Sequence, residues 1–314
     1  MYHKYFGLRE RPFQLVPNPN YLYLSKYHEE ALAHLKYAIS HGEGFAEITG
    51  EVGTGKTTLC RVFLESLNKN TEVAYIFNPN LSSVELIKAI NDEFEIDSRA
   101  DNTKELIDHL NQFLLKKKEK KKNIVLLIDE AQNLSKDVLE QLRILSNLET
   151  STQKLLQIIL VGQPELDIII NSHEMRQLAQ RITIRCHLFP LDLKETRDYI
   201  LHRIHVASQK PQVTLSNSAF RKIYRYSGGI PRLINILCDR AFLAAYVEKK
   251  NAITGKIVQK AIIELESKNI SGKYFAPERR NPGLMFLLLL CVILIMYIIF
   301  YPDQTDLIRF NFLK

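Results

Sequence analysis

An α/β fold is what this 314-residue sequence predicts: a parallel sheet flanked by helices, followed by a smaller all-helical domain. Three observations carry that expectation. Short apolar runs alternate with amphipathic helical patterns from residue 45 to residue 188, as βαβ units require. One run, 124–128, is apolar at every position, which suits a parallel strand buried on both faces. Beyond Pro190 the strand-like runs stop and four helical patterns follow one another.

Taken in order, the first 25 residues hold Phe6, Pro12, Phe13, Pro17 and Pro19, and read as a turn-rich segment whose aromatics cover part of a ligand site. An amphipathic helix is expected at 26–40. Strands are expected at 45–49, 73–77, 124–128, 156–161 and 182–188, with helices between them at 57–67, 84–94, 103–115, 135–148 and 175–180. The all-helical part has helices at 194–208, 217–226, 231–248 and 255–268, and Ser216 and Thr254 stand where N-caps belong. The boundaries that follow are an N-terminal segment and helix at 1–42, an α/β core at 43–190, a helical domain at 191–268 and a Gly-, Pro- and charge-rich linker at 269–283.

Composition bounds the class. A hydrophobic content of 46% belongs to a globular chain with proper cores, not to a disordered one. Cys60, Cys186, Cys238 and Cys291 are scattered without a C-x-x-C pair, which argues against a zinc site or a disulfide framework. The net charge of +7 owes much to a Lys-rich run at 116–122, open to contact with nucleic acid or anionic lipid but more simply a solvated helix end. Residues 1–20 lack the apolar core of a cleavable secretion signal. Residues 284–301 form an uncharged apolar and aromatic stretch, about 27 Å long as a helix, which predicts a single transmembrane helix. Arg279 and Arg280 precede it, so the positive-inside rule places the bulk of the chain on the cytoplasmic side and the tail at 302–314 on the opposite side.

The chemistry lies in two motifs. Gly50, Glu51, Val52, Gly53, Thr54, Gly55, Lys56 and Thr57 spell G-x-x-x-x-G-K-T directly after a strand-like run, with Thr58 next in the following helix. Such a loop turns its N–H groups inward round phosphates, and its glycines leave room for that approach. Lys56 then reaches the β and γ phosphates, while the Thr57 hydroxyl ligates Mg²⁺ at the positive end of a helix dipole. The second motif, Asp129-Glu130-Ala131-Gln132, closes the apolar run at 124–128. At a strand's carboxyl end Asp129 can hold the Mg²⁺ shell and Glu130 can orient an attacking water.

The order of these motifs resembles that of the AAA+ P-loop NTPases, and the resemblance implies an ATP hydrolase with ATP and Mg²⁺ as ligands and a helical lid. Gln163 falls at the position of the family's sensor 1, where Asn, Ser or Thr is commoner. Arg181, with Arg176 as a second candidate, falls at that of the arginine finger, which serves a neighbouring subunit and implies a homo-oligomer. Gly228-Gly229-Ile230-Pro231-Arg232 resembles sensor 2, so that Arg232 would reach the γ phosphate from the lid. Asn78 resembles the residue that restrains the catalytic Glu, and is equally an ordinary turn residue.

A narrower resemblance, over residues 1–268, is to the general secretion pathway protein A family and the ATPases of MSHA-type pilus biogenesis. It rests on Tyr5-Phe6-Gly7-Leu8, Pro12-Phe13, Pro17-Asn18-Pro19, Leu22-Tyr23-Leu24-Ser25, His28-Glu29-Glu30-Ala31-Leu32 and Leu160-Val161-Gly162-Gln163-Pro164-Glu165-Leu166, together with the two motifs above. The resemblance implies a single-pass membrane-anchored ATPase of the bacterial inner membrane, with its ATPase domain cytoplasmic and residues 302–314 periplasmic, that drives or regulates assembly of a type II secretion or type IV pilus-like machine. Its expected partners are inner-membrane lipid and assembly proteins of the inner membrane and periplasm. Longer secretion members carry a peptidoglycan-binding domain after the span, and here only 302–314 follows it. Two alternatives stay open: a DNA-transposition or replication-associated ATPase binding nucleic acid through 116–122, and a nucleotide-binding scaffold with little turnover.

Overall fold

Five parallel strands in the order β2-β3-β4-β1-β5 organise the computed structural model, which describes residues 1–267 apart from 17, 78–79, 98, 101, 150–153 and 209. The chain begins with α1 (Tyr2–Tyr5), a 3-10 turn (Pro19–Tyr21) and α2 (Lys26–His41), then enters the sheet with β1 (Phe45–Gly50). There follow α3 (Lys56–Glu65), β2 (Thr71–Phe77), α4 (Ser83–Glu93), α5 (Thr103–Glu119) and β3 (Asn123–Asp129). A second 3-10 turn (Ala131–Asn133), α6 (Lys136–Leu145), β4 (Gln157–Gly162), α7 (Pro164–Ile170), α8 (Arg176–Ala179) and β5 (Ile182–Leu188) complete this layer.

The apolar run in β3 is explained by helices on both faces. Ile124, Leu126 and Ile128 pack into one cluster with residues of α4, α5 and α6, while Val125 and Leu127 belong to another with residues of α2 and α3. β1 pairs with β4 on one side and β5 on the other, and β3 pairs with β4. The carboxyl ends of β1, β3 and β4 therefore lie side by side, where open α/β sheets present their ligand sites.

After β5 come α9 (Leu193–Ala207), β6 (Thr214–Leu215), α10 (Asn217–Ser227), α11 (Pro231–Val247), β7 (Ala252–Ile253) and α12 (Gly255–Ser267). Local sequence sets each boundary. Asp192 and Glu195 form a reciprocal capping box at α9, Ser216 caps α10, Gly228 ends α10 in a left-handed turn, and Pro231 opens α11. The expected aromatic cover divides in two. Phe6 and Phe13 are buried in the helical core, with ring centroids 5.4 and 5.1 Å from Phe242, whereas Tyr21 and Tyr23 line the cleft described below.

The Lys-rich run sits at the end of α5, where Lys117 and Lys122 both pair with Glu72 of β2. Asn78 lies outside the described residues, as do the linker 269–283, the apolar stretch 284–301 and the tail 302–314. Among the described residues no helix is long and apolar enough to cross a membrane. The longest, α5 and α11, have 17 residues each and carry charges, against the roughly 20 apolar residues that a span requires. The expected single-pass inner-membrane placement is corrected accordingly, and no span is assigned.

Candidate active site

The turn from β1 into α3 builds the site. Gly53 has φ +84°, and a Cβ there would stand 2.5 Å from the Cβ of Arg232. Only glycine lets the loop take this left-handed turn and lets the helical domain approach so closely. Thr54 closes the turn by donating its hydroxyl to Glu51 O at 2.8 Å. Lys56, 6% exposed, donates Nζ to Gly50 O at 2.7 Å and Glu51 O at 3.0 Å. Burial lowers the pKa of its ammonium, and the carboxylates of Glu130 and Asp129 act in the opposite direction.

Asp129 is fully buried and accepts three hydrogen bonds. Thr57 Oγ1 donates to Oδ2 at 2.8 Å, Tyr75 Oη to Oδ2 at 3.2 Å, and the Glu130 N–H to Oδ1 at 2.9 Å. Burial and the neighbouring Asp129 push the Tyr75 hydroxyl above its usual range, so it remains a donor. Glu130 takes a left-handed conformation, φ 54° and ψ 37°, which breaks the line of β3 as the chain enters the following turn. Its Oε2 accepts from Gln132 Nε2 at 2.6 Å and from Gln163 Nε2 at 3.3 Å.

From the helical domain, the Arg232 N–H donates to Gly53 O at 3.2 Å, so an unpaired amide of the first turn of α11 is satisfied by the loop. Gly229 makes this docking possible: a Cβ there would fall 1.9 Å from Leu191 O. From the N-terminal side, buried His28 in the first turn of α2 places Nε2 3.2 Å from Thr54 O and Nδ1 2.6 Å from Ser25 Oγ. Burial lowers its pKa, which favours the neutral ring.

One cleft is lined by Val52, Gly53, Thr54, Gly55, Lys56, Thr57 and Thr58 together with Glu130, Gln163 and Arg232. Asp129 joins it through Thr57, and Gly50 and Glu51 through their carbonyls to Lys56. Arg181 is not brought in. It follows α8 and donates Nη1 to Ser146 Oγ at 2.6 Å. Arg176 opens α8. Sequence reasoning missed Tyr75, Gln132 and His28, and also the far wall, where Arg203 lies 4.7 Å over the Tyr21 ring and donates to Tyr199 Oη at 3.1 Å. Tyr75 stands inside β2, and its hydroxyl in the middle of the otherwise apolar run 73–77 was the one signal for it. Among the described residues no group of three His, Cys, Asp or Glu is set to hold a metal. A hydroxyl and one carboxylate instead suit a Mg²⁺ that keeps its waters and shares phosphate oxygens.

Residues 39–170 match the AAA domain family. Over 266 residues, 84% of this chain, the sequence is 47% identical to General secretion pathway protein A of Aeromonas hydrophila. The match covers 48% of that protein, so the chain spans about half the length of this curated relative. Among solved structures, Cdc6p of Pyrobaculum aerophilum is similar at a TM-score of 0.61 and 20% identity, over 81% of this chain and 70% of that one. The RuvB Holliday junction branch migration motor of Thermotoga maritima is similar at 0.52 and 23% identity, over 77% and 70%. At such identities the two structures share the fold alone. Residues 39–170 are thus an AAA domain on the nucleotide-binding AAA+ P-loop fold, in a chain related over most of its length to General secretion pathway protein A.

Proposed function

We propose that this chain binds ATP with Mg²⁺, hydrolyses it, and uses that cycle to drive or regulate assembly of a type II secretion or type IV pilus-like machine. The observation that carries the hydrolytic part is the convergence of Lys56, Thr57, Asp129, Glu130 and Arg232 on one cleft. In this reading Lys56 leaves the carbonyls of Gly50 and Glu51 for phosphate oxygens. Thr57 and Asp129 hold the Mg²⁺, which supplies charge neutralisation at the phosphates. Glu130 orients the attacking water, with Gln163 beside it. Arg232 adds positive charge from the helical domain, and its contact with Gly53 lets the angle of that domain respond to what the loop holds.

Arg181, outside the cleft of its own chain, is free in this reading to serve the cleft of a second copy in a homo-oligomer. The assembly role rests on the relation to General secretion pathway protein A. The nucleic-acid alternative draws less support from the Lys-rich run, because two of its lysines are taken by Glu72. Replacing the native gene by one encoding Glu130→Gln tests the assembly role. Lost assembly of the secretion or pilus machine with normal protein levels supports it, and normal assembly contradicts it.

A further inference from the structure

Glu130 does not hold its own position. Its backbone is in the left-handed region at the end of β3, and its carboxylate is gripped by side chains from two other places in the chain. Gln132 closes the ring. Its Nε2 donates to Glu130 Oε2 at 2.6 Å, its Oε1 accepts the Gln163 N–H at 3.0 Å, and Gln163 Nε2 returns to the same Glu130 oxygen at 3.3 Å. We propose that Gln132 is a positioning residue that braces Glu130 against Gln163, the N-cap of α7, and so sets the carboxylate's aim at the attacking water. This inference rests on the hydrolytic reading above and deepens it.

Three features support it. Glu130 and Gln163 line the cleft while Gln132 does not, so Gln132 acts from behind the carboxylate and not on the ligand. Its amide fits in one orientation only, because turning it over would set Oε1 against a carboxylate and Nε2 against an N–H donor. The amide also has a place kept for it: a Cβ on Gly162 would lie 3.0 Å from Gln132 Oε1. Both amide donors address Oε2, so neither glutamine occupies Oε1. No apolar residue of similar length can bind both ends of this bridge, and a Glu at 132 would set two carboxylates together.

The test uses the full chain with Gln132→Met, which keeps length and removes both hydrogen bonds, and Gln132→Glu, which keeps shape and the bond to Gln163 but repels Glu130. Two substitutions keep the test decisive if one fails to fold. ATP turnover is measured beside the affinities for Mg·ATPγS and for Mg·ADP–aluminium fluoride, a mimic of the transition state. The expected result is a fall in kcat of about 10- to 100-fold, a comparable loss of affinity for the fluoride complex, and ATPγS affinity within about twofold of the parent protein. Unchanged or increased kcat overturns the proposal, as does an equal loss of ATPγS affinity, which would make Gln132 a support of the loop. Absence of turnover in the parent protein defeats the hydrolytic reading and this one with it, whereas normal turnover in Gln132→Met defeats this one alone.

Discussion

Thr57 Oγ1 donates to Asp129 Oδ2 at 2.8 Å, joining residues 72 apart in sequence at the edge of one cleft. A hydroxyl and a carboxylate so placed can share one hydrated cation. Thr57→Ala removes a single cation ligand while Asp129 keeps Tyr75 and the Glu130 N–H as donors. The Mg²⁺ concentration giving half-maximal ATP turnover should rise about tenfold or more. An unchanged Mg²⁺ titration would remove Thr57 from the metal site.

Gly53→Ala tests the approach of the helical domain to the loop. The new methyl would meet Arg232 Cβ at 2.5 Å at a residue whose φ is +84°. Backbone strain alone costs about 1–3 kcal/mol, so thermal unfolding should shift down and ATP affinity should fall with it. Full affinity in a normally stable variant would show that α11 does not need this contact.

Arg181→Ala separates a role in a neighbouring copy from a local one. Loss of the bond to Ser146 should cost about 1–3 kcal/mol of stability. Turnover should disappear while ATP binding persists, and mixing with Lys56→Ala chains should restore part of it. Unrestored mixtures would leave Arg181 as a residue of its own chain.

Glu47 supplies a pH dependence. It lies in β1, 1% exposed, with neither carboxylate oxygen hydrogen-bonded among the described residues and Arg185 Nε 3.6 Å away. Burial raises its pKa to about 7, Arg185 opposing and Asp167 adding to the shift. The folded state therefore holds this proton more tightly than the unfolded chain does. Stability from this group is complete below the usual 4.5 and is lost as pH rises to about 7. Glu47→Gln should stabilise the protein at pH 8 by on the order of 2 kcal/mol and change little at pH 4, read by urea unfolding at both values. An equal effect at the two pH values would contradict the assignment.

Much of this architecture is legible in local sequence because its signals are local. The run at 124–128 is apolar throughout because helices cover both faces of β3, and G-x-x-x-x-G-K-T needs its glycines for reasons internal to one turn. What could not be read depends on tertiary contact. Nothing near Phe6 or Phe13 tells that they pack on Phe242, and Gln132 is an ordinary polar turn residue until β4 brings Gln163 beside it. Helix α7, only seven residues long, is absent from the expected elements, although Pro164 fits the first turn of a helix. The expected membrane span rests on the hydropathy of 284–301 and on the family resemblance, and that stretch lies outside the described residues.

The convergence of loop and acidic pair on one Mg·ATP is tested most directly by measuring ATP binding and turnover side by side for the purified parent chain, Lys56→Ala and Glu130→Gln. The expected result is lost binding in Lys56→Ala, and in Glu130→Gln undiminished binding with turnover reduced about 100-fold or more. Glu130→Gln turning over ATP at the parent rate, or a folded parent chain that does not bind ATP, would contradict it.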